Sequence, residues 1–202
     1  MGLFARRRSG DTPFDWLVLG LGNPGPKYAG TRHNVGEDTV RLLAERASTP
    51  LRAGRCDSLI AEVRLAGARC VLAVPVTFMN ESGRAASALV RRFGIEEAER
   101  IIVVHDELDL EPGDVRAKAG GGLAGHNGLR SITQHLSTQD YLRIRIGVGR
   151  PPSREHGADH VLSKVPKRER EVLDVAVAVA ADAVESIVAE GIDAAMRTVN
   201  AR

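Results

Sequence analysis

Only two cysteines, Cys56 and Cys70, occur in 202 residues. Their spacing fits neither a redox pair nor a zinc site, and so few thiols suit a reducing compartment. No apolar run is long enough to cross a membrane. The basic cluster Arg6-Arg7-Arg8 has no signal-type apolar stretch behind it, since Trp16–Leu21 is too short. A cytoplasmic protein without a membrane partner is expected. Neither charge dominates: 28 basic against 26 acidic residues leave a net +2. Such a balance demands no polyanionic partner, although a local basic face is compatible with it. Lysine stands only at positions 27, 118, 164 and 167. There is no G-x-S-x-G elbow to support a serine nucleophile. There is no H-E-x-x-H either, so neither a metal nor a cofactor is expected.

What is present begins with Gly20–Asn34, GLGNPGPKYAGTRHN. Its first six residues match the dinucleotide pattern G-x-G-x-x-G and follow an apolar strand. That pattern needs a helix starting inside the loop, with its N-terminus on a pyrophosphate. Pro24 and Pro26 occupy those places, Pro26 has no N–H to offer, and position 41, where an acid is wanted, is Arg. The first helix is expected only near Val35. What remains is a rigid polar turn carrying Asn23, Tyr28, Arg32, His33 and Asn34. Turn chemistry alone also accounts for Asn-Pro-Gly.

Further along, Ser58–Leu65 and Arg69–Val74 read as a hairpin with a turn at Ala66-Gly67. Ser82–Phe93 reads as an amphipathic helix stopped by Gly94. Ile101–His105, Val115–Ala119 and Tyr141–Val148 read as strands, and Asn127–Leu136 as a helix. Gly149–Val165 reads as a loop, Val172–Ala189 as a long helix beginning near Pro166 and ended by Gly191, and a short helix comes last. Residues 1–14 read as a loose tail and 15–202 as one domain. The expected fold is α/β: a single domain with a twisted mixed β-sheet flanked by helices.

Polar clusters follow the strands: the turn with His33, then Pro75-Val76-Thr77-Phe78-Met79-Asn80, then His105-Asp106-Glu107-Leu108-Asp109. A fourth, Gly120–Gly128, opens a helix. Asparagine occurs five times, and Asn23, Asn34, Asn80 and Asn127 all fall in these segments. Asn amides can hold an ester or amide, and a carboxylate beside a histidine can fix its tautomer. Histidine and aspartate without serine or cysteine suggest water as nucleophile, with an Asn amide on the oxyanion. A purely structural role for His33 stays open on these grounds, and more so for His105, which ends a buried strand. The glycine loop Gly120–Gly125 either turns backbone N–H groups toward a phosphate or is simply a tight turn. Arg116, Lys118, Arg130, Arg143 and Arg145 make a phosphate-facing surface plausible there.

GLGNPGPKYAGTRHNVG, PVTFMNESG, HDELDLEPG and GGGLAGHNGLRS, in this order, resemble bacterial peptidyl-tRNA hydrolases from about Leu17 to near the C-terminus. The resemblance implies a cytoplasmic, monomeric hydrolase in translation that cleaves the ester between a peptide and the 3′-terminal ribose of tRNA. Its partner would be the acceptor stem and 3′ end of peptidyl-tRNA, and the reaction would recycle tRNA from prematurely released chains. By motif position, His33 would be the base that activates water and Asp106 its orienting partner. Asn23, Asn80 and Asn127 would position substrate, Tyr28 and Met79 would line the site, and Lys118 and Arg145 would contact tRNA phosphates. Residues 149–165 match the place of a mobile loop. An RNA-binding protein that has lost catalysis, as in plant organelle splicing factors on this scaffold, is the alternative; the intact His33, Asp106, Asn23, Asn80 and Asn127 speak against it.

Overall fold

The structure, a computed structural model, describes residues 14–151, 153 and 156–201. The expected tail, with its arginine cluster, lies outside the described residues except for Phe14. Phe14 is packed: its ring meets Phe93 edge-on with centroids 5.1 Å apart, and its N–H donates to the Phe93 carbonyl at 3.2 Å. Phe14, expected in the tail, is thus packed on the domain.

Seven strands form one mixed sheet: β1 (Trp16–Gly20), β2 (Arg52–Ala53), β3 (Ser58–Leu65), β4 (Ala68–Pro75), β5 (Ile101–Glu107), β6 (Val115–Ala119) and β7 (Leu142–Gly147). Their order is β2-β3-β4-β1-β5-β7-β6. The central strands β4, β1, β5 and β7 run parallel, and the outer pairs are antiparallel. Helices α1 (Val35–Arg46), α5 (Lys167–Glu190) and α6 (Ile192–Val199) bury one face of the sheet. Helices α2 (Ser82–Phe93) and α3 (Asn127–Leu136) bury the other. Coverage on both sides is why β1 is continuously apolar: Leu17, Val18 and Leu19 are 0% exposed.

Local chemistry sets the connections. Ala66 and Gly67, at φ 47° and 84°, give the two-residue turn of matching twist that joins β3 to β4. Gly94, at φ 66°, ends α2 with its N–H on the Val90 carbonyl. The edge of β6 is closed by the Asn200 side chain, which bonds the Ala117 N–H at 2.8 Å and its carbonyl at 3.0 Å. A Cβ on Gly20 would stand 2.3 Å from the Gly36 carbonyl oxygen, and one on Gly36 would stand 2.2 Å from that of Val104. The two glycines thus let the start of α1 lie directly on β1 and β5, beside the carboxyl end of β5.

Two elements depart from the sequence reading. Residues 149–165 are not all loop, because α4 (Gly157–Leu162) forms within them. Only Val161 of this short helix is buried, so no apolar stripe marks it in the sequence. The exposed two-residue strand β2 is too short to leave a pattern. Among the described residues no helix is long and apolar enough to cross a membrane.

Candidate active site

Chain direction places the site. After β1 the chain goes to one side for β2–β4, then crosses back to β5 on the other flank of β1. Such switch points leave a crevice beyond the carboxyl ends of the strands. Four segments meet there: the turn after β1, the turn after β4, the end of β5 and the N-terminus of α3.

His33 lies in a 3-10 turn, Arg32–Asn34, that leads straight into α1. Its Nδ1 stands 2.8 Å from Oδ1 of Asp106, a β5 side chain that is 3% exposed. A carboxylate accepts, so Nδ1 carries the proton and Nε2 is the basic nitrogen. Among the described residues Nε2 has no partner, and no serine or cysteine hydroxyl or thiol bonds to His33. Burial pulls the pKa of His33 down, but the charge of Asp106 and its hydrogen bond outweigh burial, and the net shift is upward from 6.5. Burial likewise pushes Asp106 up, but His33 and His126 together hold it well below the usual carboxylate range.

His126 was not singled out in the sequence. It is the N-cap of α3: its Nδ1 accepts from the N–H groups of Gly128 at 3.1 Å and Leu129 at 3.4 Å. Its Nε2–H then donates to the same Asp106 Oδ1, at 2.9 Å. The one signal available was a ring residue where Ser, Thr, Asp or Asn usually caps a helix. His33, Asp106 and His126 also form the only group among the described residues in which three candidate metal-ligand atoms converge. A metal on Nε2 of His126 would have to displace the proton that the α3 cap fixes there, so the donor set is poorly suited to one.

The asparagines divide. Asn23 is buried, and its Oδ1 accepts the Met79 N–H at 2.8 Å. Its backbone is clamped by Asn34, which accepts from Asn23 N at 3.0 Å and donates to Asn23 O at 2.9 Å. The Asn23 amide nitrogen is left as an oriented donor without a partner among the described residues. Asn34 is scaffold. Asn80 and Asn127 are exposed, at the ends of two segments that pack together, and the Asn127 oxygen accepts from Arg130 at 3.2 Å. A Cβ on Gly128 would meet Met79 Sδ at 2.6 Å. Met79 is thus a buried floor beneath α3 rather than an open lining residue. Tyr28 is half-buried at the rim, edge-on to the exposed Phe78 with centroids 6.3 Å apart.

The glycine loop differs from the phosphate reading. Its Gly121 and Gly122 carbonyls point inward and accept from the buried Arg143 guanidinium, and the His126 ring already fills the helix N-terminus. Arg143 is therefore structural. On β6 and β7, Arg116 stands opposite Arg145 and Lys118 opposite Arg143. Like charges across a ladder repel. Glu107 answers Arg145 at 3.0 Å, and Asp114 and the Val199 carbonyl engage Arg116. Among the described residues Lys118 has no acidic partner. His105 is buried, with Nδ1–H on the Asp106 carbonyl at 2.7 Å and Nε2 unpartnered. Burial, helped by His126, drives its pKa down to about 3.

A histidine with one open nitrogen, a buried carboxylate behind it, an oriented amide and, among the described residues, no serine or cysteine bonded to the histidine form the equipment of a hydrolase that works through water. The peptidyl-tRNA hydrolase family model matches residues 17–202. The peptidyl-tRNA hydrolase of Frankia casuarinae is 53% identical over 193 residues, covering 96% of each chain. That of Cutibacterium acnes is 48% identical, covering 92% of this chain and 98% of its own. The crystal structure of peptidyl-tRNA hydrolase from Acinetobacter baumannii superposes with a TM-score of 0.88 at 37% identity, over 95% of this chain and 98% of that one. The chain belongs to the peptidyl-tRNA hydrolase family: it is an ester hydrolase whose substrate is peptidyl-tRNA.

Proposed function

We propose that His33 is the general base of this hydrolysis and that Asp106 holds it in the working tautomer. The observation that carries the reading is the 2.8 Å contact between His33 Nδ1 and Asp106 Oδ1, which leaves Nε2 open. Water on Nε2 attacks the ester carbonyl carbon joining the peptide to the 3′-terminal ribose. His33 takes the proton, and the buried Asp106 carboxylate stabilises the imidazolium. The Asn23 amide donates to the oxygen that gains negative charge. Collapse of the tetrahedral intermediate breaks the ester bond, and the imidazolium returns its proton to the departing ribose oxygen. The products are a peptide carboxylate and a free tRNA 3′ end.

Asn80 and Asn127, on facing segments at the crevice, hold the peptide, and Tyr28, braced by Phe78, lines the entrance over the Met79 floor. Lys118, without an acidic partner among the described residues, and the Arg145 guanidinium, fixed through its Nε by Glu107, take phosphates of the acceptor stem. All these groups come from one chain, which supports a monomer. Work on peptidyl-tRNA released during translation sets its place in the cytoplasm. A scaffold kept for RNA binding alone has no use for an open, carboxylate-backed imidazole.

The test uses N-acetyl-aminoacyl-tRNA beside aminoacyl-tRNA with a free amine. Wild type turns over the first and spares the second, and His33→Ala lowers turnover by about 10²–10⁴-fold. Near-normal turnover by a folded His33→Ala protein would refute the assignment.

A further inference from the structure

Arg32, the residue just before His33, is 7% exposed although it is a cation. Its Nε and Nη2 donate to the two carboxylate oxygens of Glu169 on α5, at 2.7 Å each. Its Nη1 donates to the His160 carbonyl at 3.1 Å and to the Ser163 hydroxyl at 2.8 Å. Ser163 in turn donates to the same His160 carbonyl at 2.8 Å. The backbone adds to this: Thr31 forms an antiparallel bridge with Lys164, and the Val165 N–H donates to the Gly30 carbonyl at 3.3 Å. On the other side of α4, the His160 ring donates from Nε2 to the Val148 carbonyl just past β7, at 3.0 Å. The segment after β7, read in the sequence as a loop, is fastened at both flanks.

The turn carrying His33 is anchored toward β1 by Asn34, but among the described residues its side-chain bonds to α4, Ser163 and α5 all come from Arg32. It is three residues long, and its N-cap Thr31 makes no side-chain capping bond. A buried guanidinium with one carboxylate partner resists displacement, because any shift that breaks the pair strands a charge away from water. We propose that Arg32 is a positioning residue for hydrolysis: the Arg32–Glu169 clasp ties α4 and the start of α5 to the His33 turn and keeps His33 on Asp106. This rests on His33 being the base. The strap and the base then move as one unit, and release of α4 disarms the site without any change in the residues that meet the ester.

The experiment compares Glu169→Gln, which keeps the volume and removes the charge, with wild type and His33→Ala, all as full chains. A loosened base costs turnover rather than substrate affinity, so kcat for N-acetyl-aminoacyl-tRNA falls by about tenfold and KM stays within about twofold. The His33 ring, followed by nitrogen NMR against its neighbours Asp106 and His126, titrates at lower pH than in wild type. Unchanged kcat and unchanged His33 titration in a folded Glu169→Gln protein overturn the clasp. Full activity of His33→Ala overturns the reading beneath it; an inactive His33→Ala beside a fully active Glu169→Gln overturns the clasp alone. Should Glu169→Gln fail to fold, hydrogen exchange on wild type decides: amides of residues 31–34 and 157–165 share one opening free energy if the clasp couples them, and unrelated values refute it.

Discussion

Replacing Asp106 with Asn tests the electrostatics of the site most directly. The substitution keeps shape and an oxygen acceptor, but removes the charge faced by His33 at 2.8 Å and by His126 at 2.9 Å. With charge centres about 4 Å apart and an effective dielectric near 20, the lost attraction for a His33 imidazolium is about 4 kcal/mol at most. Partial compensation by the amide oxygen brings the loss to about 2–4 kcal/mol, or about 30- to 900-fold in kcat. The sign of the pH effect follows from the same balance. In wild type the carboxylate outweighs burial and lifts the His33 pKa above 6.5, so kcat rises with pH through a value above 6.5 as the base is freed. In Asp106→Asn the charge is gone and burial meets only a neutral acceptor, so the inflection moves below its wild-type position while the plateau drops. The assay is kcat for N-acetyl-aminoacyl-tRNA from pH 5 to 9, roughly the span over which histidine titrates. A lowered plateau with an unmoved inflection would show that His33 is not the titrating base.

Lys118→Ala weakens tRNA binding and reduces the slope of log affinity against log salt by about one, read from binding isotherms at several salt concentrations; an unaltered slope removes Lys118 from the phosphate contacts. Gly128→Ala places a methyl against Met79 and Leu21, which costs about 1–3 kcal/mol and lowers Tm; unchanged Tm and kcat would refute the close approach of α3. Chelation of the enzyme with EDTA leaves kcat unaltered, because the His126 proton is fixed by the α3 cap; loss restored by one particular metal would overturn that argument.

Periodicity and stop signals made most of the fold legible. The bounds Ser82–Phe93 and Asn127–Leu136 agree with α2 and α3, and Val115–Ala119 agrees with β6. α4 was hidden because it is held by Arg32, from the far end of the sequence, and by the Val148 carbonyl, rather than by its own apolar face. His33, Asp106, Asn23, Asn80 and Asn127 were legible as motifs, but the different surroundings of the asparagines were not. That Asn23 has its oxygen spent on Met79 N depends on two turns meeting after different strands. Arg143 misled for a related reason: a basic residue near a glycine loop looks phosphate-facing until the loop turns its carbonyls inward.

Three imidazoles crowd the Asp106 region, and the fold leaves one of them free to cycle a proton. His105 is held neutral by burial, with its one N–H on the Asp106 carbonyl and its other nitrogen sealed from solvent. His126 is held in one tautomer because its Nδ1 must accept from the first turn of α3; protonating that nitrogen would turn an acceptor against two N–H donors. Its Nε2–H can therefore only donate to Asp106, which keeps the carboxylate ionised and in place. His33 alone couples a fixed Nδ1–H with an open Nε2. The proposal that His33 is the base thus rests also on what the other two rings are prevented from doing, and helix α3 takes part in that selection through its cap.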